Sequence, residues 1–600
     1  MKKTRIICLA LLAPLLVALL AASSVAPAFN PSAQNDESIF DTIRREHEWV
    51  EKSLHAREPR GQNFTVTQAV APQPIDVLHY RLQVGLTLEQ PRVAGTVTID
   101  FETQTEVSTV IIDAFENLQI DAVRFDGAAR EFVRARRSVT LNFASPLPAD
   151  QRFSIAIDYQ GDPTSGTDEI AMLTARHGTG LNNAPVIATL SEPYGSPSWW
   201  PCVDNPSDKA TAEIEATVPA QFVVASNGTL TRTETVAGDK VTYFWREDYP
   251  IATYLVSVAV TNYQRFEDTY TSLDGKKSMP LVYYVYPEHM EKAQQKFAVT
   301  RRAMEIFAPL FGEYPFLDEK YGMAEFPWTG AMEHQTMTSM GASVISSETN
   351  TGRSIIAHEL AHHWWGDLVT MKTWDDIWLN EGFATYSEVL FFERFLNLAP
   401  GQLMKESYDD NKVDGRLAGT VYAENTRNPF DDTGAIYGKG AWVLHMLRHV
   451  MGDQRFFDAL KVYAERFAFG NASTADFRQV CEELHGESLE WFFQQWVYAP
   501  GRPIYKVSTS VSGPDASGNF TARVNIKQKQ QQSIPGRTGD TARVFIMPVD
   551  VTFHYADGTS ETRVVENNAR KQEFNITLTK QPTSIRIDQG NWILRKLKGN

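Results

Sequence analysis

The stretch "IIAHELAHHWWGD", Ile355 to Asp367, sets three histidines and a glutamate within positions 358–363. On a helix each residue advances by about 100°, so His358 and His362 lie within roughly 40° of one another and can share a metal ion. His363 is turned about 140° from His358 and stands apart. Glu359 adjoins the first histidine without joining it, where a carboxylate can take a proton from metal-activated water. Ile355, Ile356, Leu360 and Ala361 give the segment an apolar side, and the pattern predicts a helix from near Ser354 to Gly366 with both histidines in its middle. A lone His-Glu-x-x-His recurs by chance, and two histidines bound to core polar groups would require nothing further along the chain. A metal site requires a third ligand.

"IWLNEGFATYSE", Ile377 to Glu388, supplies one on a second helical pattern. Glu381 stands nineteen positions after His362, between Leu379 and Phe383, in an Asn-Glu-Gly setting unlike a helix surface. Two histidines and a glutamate with a fourth position open to water form the catalytic rather than the structural zinc pattern. One zinc ion per chain is therefore expected, since imidazole, carboxylate and a hydrolytic base suit it best, although cobalt and manganese fit the same spacing.

The rest of the chain sets bounds on this centre. At 600 residues, 43% hydrophobic and 22% charged, it has material for several domains. A formal net charge of -16 and the lack of any lysine or arginine block argue against a nucleic-acid partner. Lys2, Lys3 and Arg5 precede an apolar run from Ile6 to Ala22 and the small residues Ala26-Pro27-Ala28. Residues 1–28 thus read as a signal peptide for export to the periplasm or beyond the cell. A retained anchor is the alternative, which Pro14 disfavours, and no later run could span a membrane. Cys8 leaves with that peptide, and two remaining cysteines exclude a disulfide scaffold; sequence leaves open whether Cys202 and Cys481 pair, with two buried free thiols the plainer reading. Asn227-Gly-Thr is a glycosylation sequon.

Periodicity divides the chain further. Residues 29–75 are polar and read as a linker or docking segment, with "DTIRREHEWVEKSL" as their helical pattern. Over 76–268 the period is two, as in Tyr80, Leu82, Val84, Leu86, Leu88 and in Val97, Ile99, Phe101, which predicts an N-terminal β domain. Helical patterns such as "EKAQQKFAVTRRAMEIFAPLF" occupy 269–500, and alternation returns over 501–600, with Asp557-Gly558 as a hairpin turn. The expected fold class is multidomain α+β. No internal repeat is visible.

These motifs resemble those of the gluzincin aminopeptidases, the group that includes aminopeptidase N and leukotriene A hydrolase. The resemblance rests on His358-Glu-x-x-His362 with Glu381, on "GAMEH" from Gly330 to His334, on "YGKGAWVLHML" from Tyr437, and on "LSEPYGSPSWWPC" from Leu190. It implies a thermolysin-like α/β catalytic domain between the N-terminal β domain and a C-terminal β-sandwich. It implies peptide substrates with a free amino terminus, whose ammonium Glu333 and Glu192 would hold at a fixed distance from the metal. Tyr437 would donate to the oxyanion of the tetrahedral intermediate.

Two departures from the family pattern imply altered preference rather than lost activity. His334 replaces a usual asparagine, and Leu190 replaces a frequent glutamine. A third concerns size: many relatives carry a large helical C-terminal domain that roofs the site, whereas residues 501–600 read as β, so a short form with the roof missing or borrowed is expected. An oligomer is possible. Epoxide opening by the same fold and a non-enzymatic peptide-binding protein are the competing readings, and retention of every ligand and of Glu359 argues against the second.

Overall fold

A computed structural model describes residues 73–598, apart from 168, 181–182, 347–351, 409–418, 425–427 and 531–543. The stretch 1–28, read above as a signal peptide, and nearly all of the segment at 29–75 lie outside the described residues. Among the described residues no helix is long and apolar enough to cross a membrane.

The alternating sequence from Ile75 builds an eight-stranded sheet with Ile75–Thr87 and Arg92–Thr103 at its centre. Their antiparallel register sets Tyr80 opposite Ile99 and Leu82 opposite Val97, so the apolar residues of both strands fall on one buried face. A slip of one residue would turn that face to water. A smaller four-stranded sheet follows, ordered Val223–Ser226, Val258–Thr261, Ala184–Thr189, Met172–His177. Its strand ends deliver the loop that carries Glu192.

Gln264–Thr271 and Ser278–Val285 open a five-stranded sheet that continues through Tyr321–Phe326, Met337–Gly341 and Ala331–Met332. Three of these strands run parallel, and all six residues of Tyr321–Phe326 are buried, as expected of strands covered on both faces. Helices Met290–Phe297 and Val299–Phe311 realise the pattern seen at 291–311. The histidine helix Arg353–Ala361 packs against strand Ala331–Met332 of this sheet and against the glutamate helix Trp378–Phe395, which packs in turn against the tyrosine segment Gly434–Lys439 and the helix Gly440–Met451 that follows it. Beyond Trp496 the described residues form two small sheets of four and three strands, the C-terminal β layer pair. Asp557-Gly558 turns the hairpin between Met547–Tyr555 and Ser560–Asn567.

The histidine helix is shorter than its sequence pattern predicts. It closes at Ala361, with His362 as its C-cap residue rather than mid-helix: the amides of His363 and Trp364 bond three residues back, to Leu360 and Ala361, that of Asp367 bonds five back, to His362, and the chain reverses at Gly366, φ 140°. His362 itself keeps helical angles, φ −57° and ψ −24°, so the four-residue spacing still sets it on the same face as His358. Cys202 and Cys481 are both buried and unbonded to one another.

Candidate active site

His358, His362 and Glu381 meet as the spacing predicts, with their ligand atoms all within 4.8 Å of one another. Nε2 of His358 lies 3.2 Å and Nε2 of His362 3.3 Å from Oε2 of Glu381. The far side of each ring is occupied. Nδ1 of His362 donates to the Trp365 carbonyl at 2.9 Å, an acceptor that fixes the tautomer. Nδ1 of His358 donates to Glu388 at 2.8 Å, and Glu388 in turn accepts from the Ser354 hydroxyl. Both Nε2 atoms are thereby turned toward Glu381. Two oriented imidazoles and a carboxylate converging on one point suit a divalent cation of the zinc type.

Charge makes the same demand. Glu192, Glu333 and Glu381 bring carboxylate oxygens within 4.8 Å of one another, and Glu359 acts electrostatically on Glu333 and both histidines. Burial pushes the Glu359 carboxyl up to about 8, against the pull of His358 and His362. Burial also raises Glu333, partly offset by His362 and reinforced by Glu381. Glu381 is the exception: against its own burial, His362 and His358 hold it well below the usual carboxylate range. His358 rises to about 9, since its bonds to Glu381 and Glu388 outweigh desolvation. Oε2 of Glu359 and Oε1 of Glu333 are buried and bonded to none of the described residues. Four carboxylates facing two imidazoles need further positive charge, and a divalent ion together with an ammonium group would supply it.

Tyr437 lies over the same centre. Its ring stacks on His358 at 6.0 Å between centroids and 13° between planes, and burial, followed by the charges of Glu381 and Glu192, pushes its phenol well above the ordinary value. A backbone contact brings it there. A Cβ on Gly382 would lie 3.0 Å from the Cα of Gly440, and one on Gly440 2.9 Å from the Cα of Gly382. Only glycine at both positions lets the glutamate helix and the tyrosine segment approach so closely. Lys439, between Tyr437 and that contact, is buried and donates to the carbonyls of Gly419 and Ala499 at 2.7 and 2.9 Å.

His363 stays outside the centre. Tyr314 meets its Nδ1 at 2.9 Å and Thr338 its Nε2 at 3.3 Å, within an aromatic cage. The two departures from the family pattern also find places: His334 is buried with Nδ1 2.8 Å from the Ser339 hydroxyl, and Leu190 is a core residue.

Glu388 and the Trp365 carbonyl had no role in the sequence reading. Glu388 stands seven positions, two helical turns, beyond Glu381 and so shares its face, a signal available in the sequence. Glu388→Gln keeps the shape but removes the charge behind His358. It is expected to weaken divalent-metal affinity by about 10–100-fold, read by competition with a chromogenic chelator.

Comparison with known proteins assigns the chain to a family. The Peptidase M1 N-terminal domain matches residues 76–255 and the Peptidase family M1 domain residues 295–496. Glutamyl aminopeptidase of Rattus norvegicus is 27% identical over 466 residues, covering 73% of this chain and 48% of its own. The chain thus spans about half the length of the curated relatives it matches. Among solved structures, the Deinococcus radiodurans M1 zinc metallopeptidase superposes with a TM-score of 0.61 at 26% identity, covering 72% of this chain and 97% of its own. The Legionella pneumophila aminopeptidase A, solved with aspartic acid, shares the fold with a TM-score of 0.71 at 18% identity, over 88% of this chain and 60% of its own. With two domain models of one family lying in succession over more than half of its length, the chain belongs to peptidase family M1.

Proposed function

We propose that the protein is an exported zinc aminopeptidase that removes the first residue of peptides with a free amino terminus. The observation that carries this reading is the convergence of two charge centres. His358, His362 and Glu381 would hold the metal, and Glu192 and Glu333 place a second carboxylate pair against Glu381. An enzyme that needs a free ammonium one residue from the scissile bond requires such a pair at a set distance from its metal. The Deinococcus relative, also solved as a mutant bound to a Tyr-Ser-Ala substrate, supports a peptide as the ligand class. The basic residues and apolar run of positions 2–22 support export.

Bound zinc supplies a Lewis acid that acidifies water and polarises a carbonyl. Glu359, buried beside the ligands and carrying an unbonded oxygen, accepts the proton of the attacking water. It then returns that proton to the leaving amine. Tyr437 donates its hydroxyl hydrogen to the oxygen that gains charge at the scissile carbonyl. Glu333 and Glu192 accept hydrogen bonds from the substrate ammonium and hold the first residue in register.

Initial rates on a panel of aminoacyl anilides, with and without a chelator, test the reading. Hydrolysis is expected to stop with chelator and return with added zinc. Turnover indifferent to chelator, or none on any free-amine substrate, would sink it.

A further inference from the structure

Asn227 opens the triplet that reads as a glycan acceptor, yet it is fully buried and its amide is spent inside the protein. Nδ2 donates to the Leu255 carbonyl at 3.0 Å and to the Gln335 carbonyl at 2.6 Å. Oδ1 accepts from the Ser257 amide at 2.7 Å and faces the Ser257 hydroxyl at 3.4 Å. A carboxamide offers two donors and two acceptor sites, so all four are engaged. No room is left for a sugar on the folded chain.

The partners join the two halves of the site. Gln335 lies two residues beyond Glu333. On the other side, Asn227 follows strand Val223–Ser226 and Glu192 follows strand Ala184–Thr189. Both strands pair antiparallel with Val258–Thr261, so both leave the sheet at the same end. There the Ser257 amide holds Asn227, and the next amide, Val258, donates to the Thr189 hydroxyl at 3.0 Å. The Glu192 loop and Asn227 hang from consecutive amides, and the side chain of Asn227 reaches across to the loop of Glu333.

That loop needs holding. Thr336 has φ 59°, a left-handed conformation that a β-branched residue avoids and that surrounding contacts must offset. Its hydroxyl donates to Glu247 at 2.9 Å and accepts from the Gly228 amide at 2.7 Å, while Lys320 Nζ donates to its carbonyl at 2.9 Å. Gln335 Nε2 donates to Glu247 at 3.1 Å. Glu247, Asn227 and Gly228 all come from the domain that supplies Glu192.

We infer that Asn227 is a positioning residue for the amine-binding pair, fixing the separation at which Glu192 and Glu333 close on one substrate ammonium. The inference rests on the aminopeptidase reading above. Glu192 and Glu333 stand on different domains, and a shift of either by an ångström would open the pair without touching the metal ligands.

Asn227→Asp, which removes both donors, and Asn227→Ala, which removes the whole bridge, test it in the full-length zinc enzyme. The probes are leucine hydroxamate, which carries an ammonium beside its metal-binding group, and acetohydroxamate, which carries none. In both variants the Ki of leucine hydroxamate is expected to rise about tenfold or more while that of acetohydroxamate stays within about twofold. KM for leucine anilide should rise more than kcat falls, with zinc content unchanged. Equal weakening of both inhibitors would make Asn227 a plain structural residue and overturn the proposal, as would two variants that fail to fold or two that keep the full preference for the amine. A wild-type enzyme with no preference between the hydroxamates would remove the aminopeptidase reading itself and this role with it.

Discussion

Glu359→Gln is expected to lower kcat by on the order of 10²–10⁴-fold while the metal stays bound, the range that general base catalysis contributes. The substitution keeps the volume of a buried side chain that does not bridge His358, His362 and Glu381, so the ligand set is undisturbed. It also removes one of four crowded carboxylates, so folding should not suffer. What disappears is the acceptor for the proton of water. Initial rates beside metal analysis of the purified variant decide the matter. Turnover within about tenfold of wild type, with zinc in place, would mean that another group takes the proton.

Glu333→Ala is expected to cost about 2–5 kcal/mol in kcat/KM on free-amine substrates, roughly thirtyfold to several thousandfold, as for truncation of one partner in a buried charge pair. Glu333 is 3% exposed, so water cannot take over its task. Acetylating the amino terminus of a good peptide substrate removes the other partner and should abolish cleavage by the wild type. The two losses should also fail to add, because each breaks the same interaction. Rates on a peptide and its acetylated form, with both enzymes, complete the cycle. Efficient cutting of the blocked peptide would place the protein among endopeptidases.

The parts of the site legible in the sequence are those whose geometry is local. His358 and His362 share a face because four residues make nearly one turn, and Glu381 was found because a two-histidine site demanded a third ligand. Glu333, Glu192 and Tyr437 were found through their motifs, since no local rule brings positions 192, 333 and 437 together. The histidine helix was overextended because its end is set by the shift of the His363, Trp364 and Asp367 amides away from four-residue bonding, which residue types do not reveal. Glu388 sat in plain view on the face of Glu381, but its bond to His358 depends on how two helices cross. Asn227 was read as a glycosylation sequon because burial is a tertiary property, and a three-residue pattern carries no record of it.

The paired glycines at 382 and 440 have a consequence for anyone who diversifies this protein. Neither residue has a side chain that could bind, donate or attack, and a search for reactive groups would pass over both. In a library scored for activity they should nevertheless behave like ligands, tolerating no replacement, because even one methyl group at either position would wedge Tyr437 away from Glu381. Pairs of changes offer no escape, since no partner residue is smaller than the one already there.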